Sequence, residues 1–461
     1  MKLKNLTNNY LSFIDTDVKV CGWVLTKRVQ KGLSFVKIND GSNCEGVQLV
    51  FNEECKELEN VNTGTSIEAF GKLVTSPAKG QKFEINVIRL KILGMSPPET
   101  YPLSKGRLPL DYLRNNAHLR TRTSTFGSVF RIKSNISNAT HEFFRKNDYL
   151  HLNPNIMTSN ECEGGAGTFK VTEHNLNEHK NLPTIKNTSL HDWSQEHFDN
   201  GVQLTVSSQL SLEALSCSLG AVYTTNKSFR AEHSNTNKHL SEFEHLEIED
   251  TFITLDELMM LGEDYIKYIG NYLLENSLED ILNLDKFVSK GLLDRIKTIV
   301  LTEFKRIKYK DAIELLQKAK LSKQVNYGDD LSSEMENYLT DYYKSPVFVY
   351  CWPIKIKSFY MKINEEDSEL CDNFDLLMPY KVGELIGGSM REDNLDKMLE
   401  TMKSKNINPE PLNFFLDLRR YGTVPHGGFG LGLDRMCMMY TGMENIKDVV
   451  TFPVCYKSCN Y

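Results

Sequence analysis

The chain has 461 residues, 40% hydrophobic and 25% charged, enough for two or three domains with cores of their own. Its formal net charge of -7 excludes a protein that binds nucleic acid over its whole surface, so any RNA contact is expected from local basic patches. No apolar run is long enough to span a bilayer and no signal-peptide pattern opens the chain; ten cysteines without metal-type pairing read as reduced thiols of a cytoplasmic protein.

The first hundred residues carry five short runs rich in β-formers, KVCGWVLTKRV, SFVKIND, GVQLVFN, SIEAFGKLV and KFEINVIRLKILG, separated by Gly, Asn, Asp and Pro. Five such strands suit a small barrel of the OB type, which binds single-stranded nucleic acid through aromatic platforms and basic flanks. The Pro-rich polar stretch from Gly94 to Thr123 marks a boundary. Beyond it, Val129, Ile132, Ile136 and Phe143 recur at helical intervals and give a helix one apolar face. Residues 170–201 are rich in His and Asn and read as a surface excursion, with His174, His179, His191 and His197 solvated for want of metal-ligand spacing. VQLTVSSQLSLEAL predicts a strand and then a helix. Leu255 to Lys323 read as amphipathic helices, after which SPVFVYCWP and IKSFYMKIN predict a return to strands.

The stretch SFRAEHSNTNKHLSEFEHLEIED, Ser228 to Asp250, predicts two antiparallel strands joined by a polar loop. Alternation places Arg230 and Glu232 on one face of the first strand, and His239, Ser241, Phe243, His245 and Glu247 on one face of the second. A half-solvated hairpin has this pattern. So does a site in which Arg, Glu and His hold an anion while an aromatic stacks on a flat ring, and the residues alone leave both readings open. Near the C-terminus, YGTVPHGGFGLGLDR, Tyr421 to Arg435, closes a Gly-rich run on an arginine.

These two stretches, in this order, resemble motifs 2 and 3 of the class II aminoacyl-tRNA synthetases, and FRAExSNTxxHLxEF is similar to the aspartate, asparagine and lysine subgroup. The resemblance runs through nearly the whole chain. It implies an α+β architecture: an OB-fold anticodon-binding barrel over 1–97, a hinge over 98–122, and a catalytic domain over 123–461 built on an antiparallel sheet with flanking helices. In the barrel it implies that Phe35 stacks on an anticodon base while Arg28, Gln48 and Glu84 bond base edges or backbone. The helix that opens the catalytic domain, with HLNPNIMTSN, resembles motif 1 and implies a homodimer. ATP is expected against Arg230, Glu232, His239, Leu240, Phe243, Glu384, Gly432 and Arg435, the motif 3 glycines admitting the nucleotide. Asp375 and Glu384 are the expected magnesium ligands. The amino acid is expected against Glu163, Gln209, Glu232 and Arg391. Its carboxylate attacks the α-phosphorus of ATP without a protein base, so Arg230, Arg435 and Glu384 would catalyse by positioning and electrostatics.

LTVSSQL, the NLP segment at 181–183, LDLRRYGTVPHGGFGLG and VNYGDDLSSEMENYL resemble the asparagine branch of that subgroup, which implies asparagine as the amino acid and tRNA(Asn) as its carrier. On this reading Arg391 donates to the carboxamide oxygen, and Glu232 accepts from the amide and repels aspartate. The alternatives are an aspartyl or non-discriminating enzyme, a catalytically silent RNA-binding relative, and an amide-forming synthetase, which should lack the barrel. Four departures stand out. The spacing from Asp375 to Glu384 is one residue longer than expected, Lys238 replaces a usual Arg, Asp434 replaces a usual Glu, and VCYKSCNY ends the chain where an Arg is expected after Pro453.

Overall fold

The computed structural model describes residues 1–461 apart from 31, 54, 104, 105, 107 and 161–166. Glu163, an expected amino-acid contact, lies outside the described residues. The chain divides into two compact units, residues 1–134 with 277–292, and residues 135–276 with 293–461.

In the first unit the five β-rich runs become β1 (Asp17–Gln30), β2 (Leu33–Asn39), β3 (Val47–Phe51), β4 (Ser66–Thr75) and β5 (Phe83–Gly94), closed into a barrel in the order β1-β2-β3-β5-β4. Alternate residues fill it: Val20, Val36, Ile38, Leu49, Ile67, Ala69, Leu73 and Ile85 are fully enclosed. Closure bends β4 sharply at Gly71, where the register against β5 shifts and a Cβ would stand 2.1 Å from the Asn86 carbonyl oxygen. Only glycine allows that approach.

The second unit is built on an eight-stranded sheet. Its strands are β6 (Leu150–His151), β10 (Val222–Phe229), β11 (Glu242–Thr251), β12 (Lys305–Lys308), β13 (Val347–Tyr350), β14 (Asn373–Met378), β15 (Gly383–Met390) and β16 (His426–Gly432). Their order is β12-β13-β14-β15-β16-β11-β10-β6, antiparallel except for the parallel pairs β6 with β10 and β12 with β13. One face is greasy: Leu246, Ile248, Leu376, Ile386, Phe429 and Leu431 are buried there. The helix Leu255–Asn276 packs on this face through Gly262, where a Cβ would lie 3.4 Å from Ile386. The opposite face carries the polar residues of β11, β14 and β15. In the helix Ser124–Lys146, Val129, Ile132, Ile136 and Phe143 are buried as their spacing predicts. Among the described residues no helix is long and apolar enough to cross a membrane.

Two expectations are corrected. IKSFYMKIN is not a strand; a short 3-10 turn, Ile354–Ile356, ends on its first residue, and it makes only isolated bridges from Met361 and Ile363. The neighbours Phe359 and Tyr360 are both buried against the helix Asn413–Arg420, which strand alternation over a single core face does not allow. The excursion at 170–201 is only partly solvated. Strands β7 (Met157–Thr158), β8 (Lys170–Val171) and β9 (Val202–Leu204) form a small sheet in the order β7-β9-β8. Beside it the buried Glu196 carboxylate accepts from Thr172 Oγ1 at 2.7 Å, Glu173 N at 3.2 Å and His191 Nε2 at 2.7 Å. His191 is thus a partner of a buried acid, whereas His197 is exposed as expected.

Candidate active site

The site begins at the β10–β11 hairpin, paired from Val222 opposite Glu249 to Phe229 opposite Glu242. The strands end sooner than alternation suggests, so Arg230, Glu232, His239 and Leu240 lie on the connecting loop. The C-terminal segment holds that loop. Ser241 N donates to the Val454 carbonyl at 2.8 Å, Ile446 N to the Asn237 carbonyl at 2.8 Å, and Tyr456 stacks on His233 at 4.8 Å. The unusual VCYKSCNY therefore braces motif 2. Asp434 has a similar duty, its Oδ2 accepting from Glu244 N at 3.0 Å while almost fully enclosed.

Phe243, His245, Glu247 and Glu249 share the polar face of β11, and the last three border a cavity of about 590 Å³, also lined by Gln209, Arg230, Lys357, Asp375, Glu384, Arg391 and Gly430. A second cavity of about 220 Å³ adjoins it, sharing Arg230, His245, Glu384, Gly387 and Gly430 and adding Glu232, Lys238, His239, Leu240, Phe243, Gly432 and Arg435. The Arg230 guanidinium lies 5.5 Å from the centre of the Phe243 ring. Of the motif 3 glycines, Gly430 borders both cavities and Gly432 one. Gly427 and Gly428 answer to packing instead: a Cβ on Gly428 would stand 2.0 Å from the Ile248 carbonyl oxygen and 2.6 Å from the Glu249 carboxyl carbon.

Arg391, just past β15 and 4% exposed, is the buried cation of the larger cavity. Its Nε reaches both Glu249 oxygens at 3.1 and 3.2 Å, its Nη2 donates to Glu249 Oε1, and its Nη1 donates to Ser389 Oγ at 2.5 Å. Glu249 is 1% exposed, and burial pushes it up to about 7 against the pull of Arg391. The sequence reading set Glu232 opposite Arg391 across the substrate. Glu232 lines the smaller cavity only, where its carboxylate is 3.9 Å from His239 Nε2, and the acid beside Arg391 is Glu249. Alternation through Phe243, His245 and Glu247, carried one step further, points to it. Glu247 is enclosed too, accepting from Ser207 Oγ and from Ser208 N at 2.9 Å. Gln209 is 8% exposed, and its Nε2 has no hydrogen-bond partner among the described residues.

Asp375 and Glu384 stand on the hairpin β14–β15, closed between Met378 and Gly383 with Tyr380 and Lys381 both at positive φ. The register shifts after Leu376, which opposes Ile386, whereas Leu377 opposes Glu384. The extra residue, Leu385, is a bulge. Strict alternation would send Glu384 to the greasy face beside Ile386; the bulge returns it to the side of Asp375. Over Gly387 the two acids converge, Glu384 Oε1 at 3.3 Å and Asp375 Oδ1 at 3.7 Å from where its Cβ would be. The longer spacing thus leaves both carboxylates in one place. Lys357 Nζ, which no motif marks, donates to Asp375 Oδ2 at 2.7 Å. Desolvation in the cavity wall and the nearby Asp375 push Glu384 up to about 7, although its side chain opens on the cavity. Asp375 is raised as well, by burial, against the pull of Lys357.

On the barrel, Arg28 opposes Phe35, Phe35 opposes Val50, and Gln48 opposes Lys37. Gln48 and Glu84 each precede the parallel pair Leu49 and Ile85. Opposed residues share a face, so Arg28, Phe35, Gln48 and Glu84 share the side turned away from the core residues Val36, Leu49 and Ile85, with Glu84 buried there at 7% exposure. Glu84 is already engaged, accepting from Ser76 Oγ at 2.8 Å and Gln81 Nε2 at 3.1 Å.

Residues 110–455 match the family of tRNA synthetases class II (D, K and N), and residues 18–93 match the OB-fold nucleic acid binding domain. The chain belongs to the class II tRNA synthetases of the D, K and N group. Within that group its likeness is to asparagine–tRNA ligases: it is 42% identical to the one from Nostoc sp. over 95% of each chain, and 41% identical to that of Borreliella afzelii over 98% of this chain and 97% of the other. Among solved structures, asparaginyl-tRNA synthetase from Pyrococcus horikoshii complexed with asparaginyl-adenylate superposes with a TM-score of 0.85 at 29% identity, covering 97% of each chain.

Proposed function

We propose that this chain is an asparagine–tRNA ligase that activates asparagine with ATP and magnesium and passes it to the 3'-terminal adenosine of tRNA(Asn), releasing AMP and diphosphate. The observation that carries the substrate is the buried Arg391–Glu249 pair in the larger cavity. A carboxamide presents an oxygen to a guanidinium and two hydrogens to a carboxylate, and a carboxylate substrate would meet Glu249 with like charge. Arg230 and Arg435 meet the phosphates from the two sides of Gly430, Phe243 supports the base, and Gln209 faces the amino-acid backbone. His239 and Leu240 border the triphosphate with Lys238, a point charge where a guanidinium fork is usual. Glu232 belongs with the nucleotide.

Magnesium suits the residues present. Among the described residues no group of three or more His, Cys, Asp or Glu stands ready to hold a metal, and magnesium in phosphate sites needs one or two carboxylates, the rest of its shell coming from phosphate and water. Asp375 and Glu384, crowded over Gly387, are such a pair. Bound there, the ion supplies charge stabilisation to the phosphates.

The reading also takes residues 1–97 as the anticodon-binding domain, 98–122 as a hinge and 123–461 as the catalytic domain, working in the cytoplasm as a homodimer through the motif 1 region. Phe35 offers the aromatic platform for an anticodon base. Phe35→Ala is expected to raise the KM for tRNA in charging about tenfold, the low end of the 1–3 kcal/mol that base–aromatic stacking contributes; exchange without tRNA, measured alongside, reports on the catalytic unit. The substrate itself is tested by ATP–pyrophosphate exchange with asparagine and aspartate at matched concentrations. Exchange with asparagine alone is expected. Equal exchange with aspartate would transfer the reading to an aspartyl enzyme, and none with either would leave an RNA-binding relative.

A further inference from the structure

Behind the larger cavity lies a second charged cluster that the reading above does not use. Glu213, one turn beyond Gln209 on the helix Gln209–Leu219, is fully enclosed, and its Oε1 takes hydrogen bonds from the Arg419 guanidinium and from His426 Nε2 at 2.9 Å. His426 Nδ1 faces the Val424 carbonyl at 2.7 Å. A carbonyl only accepts, so Nδ1 carries a hydrogen; an ionised carboxylate also only accepts, so Nε2 carries one too, and the ring is an imidazolium. Burial alone would raise Glu213, yet Arg419 and His426 override it and hold the carboxyl at about 2.

The cluster grips a particular peptide. Arg419 Nε donates to the Glu392 carbonyl at 2.8 Å, and the His426 carbonyl accepts from Arg391 N at 2.9 Å. The Arg419 guanidinium and the His426 main chain, tied to each other through Glu213, thus hold residues 391–392, and Arg391 carries the guanidinium that meets the substrate side chain. The charged groups facing His426 are Glu213 and Arg419 from their helices, Glu249 from β11, and Arg391 itself.

We infer that Glu213 is a positioning residue for recognition of the amino-acid side chain, acting through His426 and Arg419 to aim Arg391 at the carboxamide; this rests on the asparagine reading above. Glu213 itself lines neither cavity. Burial opposes the charge on His426 and the Glu213 contact more than restores it, so its pKa lies above that of free histidine. The clamp is therefore complete below the ordinary histidine range and opens as pH rises through the raised value, where the neutral ring would turn a lone pair on the carboxylate.

The test uses the full-length chain in ATP–pyrophosphate exchange between pH 6 and 9, with KM for asparagine and for ATP measured separately. Wild-type exchange with asparagine is the reference, and its absence would remove the substrate reading rather than the clamp. Glu213→Gln keeps the volume but cannot hold the imidazolium. It is expected to raise KM for asparagine about tenfold, the loss typical of a buried charge-assisted hydrogen bond. KM for ATP should stay put, preference over aspartate should narrow, and Glu213→Asp should recover part of the loss. KM for asparagine in the wild type is expected to rise at alkaline pH, and His426→Gln, which places an amide where Nε2 stood, should abolish that rise; a wild-type KM flat across this range overturns the pH-dependent clamp. A folded Glu213→Gln protein with unaltered KM for asparagine, or with KM for ATP raised equally, overturns the inference. Should Glu213→Gln fail to fold, His426→Gln decides: persistence of the alkaline rise overturns it, and its loss supports it.

Discussion

Arg391→Met is expected to lower kcat/KM for asparagine in pyrophosphate exchange about a thousandfold, or about 4 kcal/mol of lost transition-state binding. The guanidinium both supplies the donor to the carboxamide and neutralises Glu249, which is 1% exposed. Its removal leaves an uncompensated buried carboxylate, at about 3–5 kcal/mol in stability. The two losses separate by pH. Without Arg391 the Glu249 carboxyl rises further, so the folded variant prefers the protonated form. A carboxyl raised on folding penalises the folded state little below its unfolded pKa and increasingly as pH climbs from there to the folded value. The melting temperature of Arg391→Met should therefore fall furthest below wild type near pH 8 and approach it near pH 5. Adding Glu249→Gln should restore stability at pH 8 but not activity. A variant whose stability deficit is the same at both pH values would show that Glu249 is not left charged.

Glu384→Gln is expected to lower exchange about a hundredfold at physiological magnesium and to raise the half-saturating magnesium concentration about tenfold, since one of two anionic ligands is lost. Wild type carries a further signature. Glu384 is pushed up to about 7 by desolvation and by Asp375, and a protonated carboxyl does not ligate magnesium, so half-saturation should move to higher magnesium as pH drops from 8 to 6. In Glu384→Gln that dependence should flatten. Magnesium titrations at pH 6, 7 and 8 check both statements, and an unaltered half-saturation in the variant would take Glu384 out of the metal site. Asp375→Asn should be milder at the metal, because Lys357 already occupies one of its oxygens at 2.7 Å.

Much of this was legible locally. The five barrel strands declare themselves by alternation between turn residues, and the helix Ser124–Lys146 by the spacing of Val129, Ile132, Ile136 and Phe143. In both cases residues two apart in a strand, or three to four apart in a helix, share a face, so a short window holds the information. IKSFYMKIN shows the limit of that reasoning. Its apolar residues suit a strand, but Phe359 and Tyr360 are buried in a separate core with the helix Asn413–Arg420, a partner distant in sequence.

The sequence by itself determined the polar face of β11 up to Glu247, the five strands of the barrel, and the motif wording that places the chain among class II synthetases. Only the tertiary structure decided which acid meets Arg391. Strand alternation assigns a side to each residue, but the pairing of β11 with β16, and of β16 with β15, brings Glu249 rather than Glu232 to the guanidinium. It also placed Glu384, which a one-residue bulge turns toward Asp375, and gathered Glu213, Arg419 and His426 from three separated elements. Buried charges must find partners wherever the fold brings them, and that search runs across the sheet rather than along the chain.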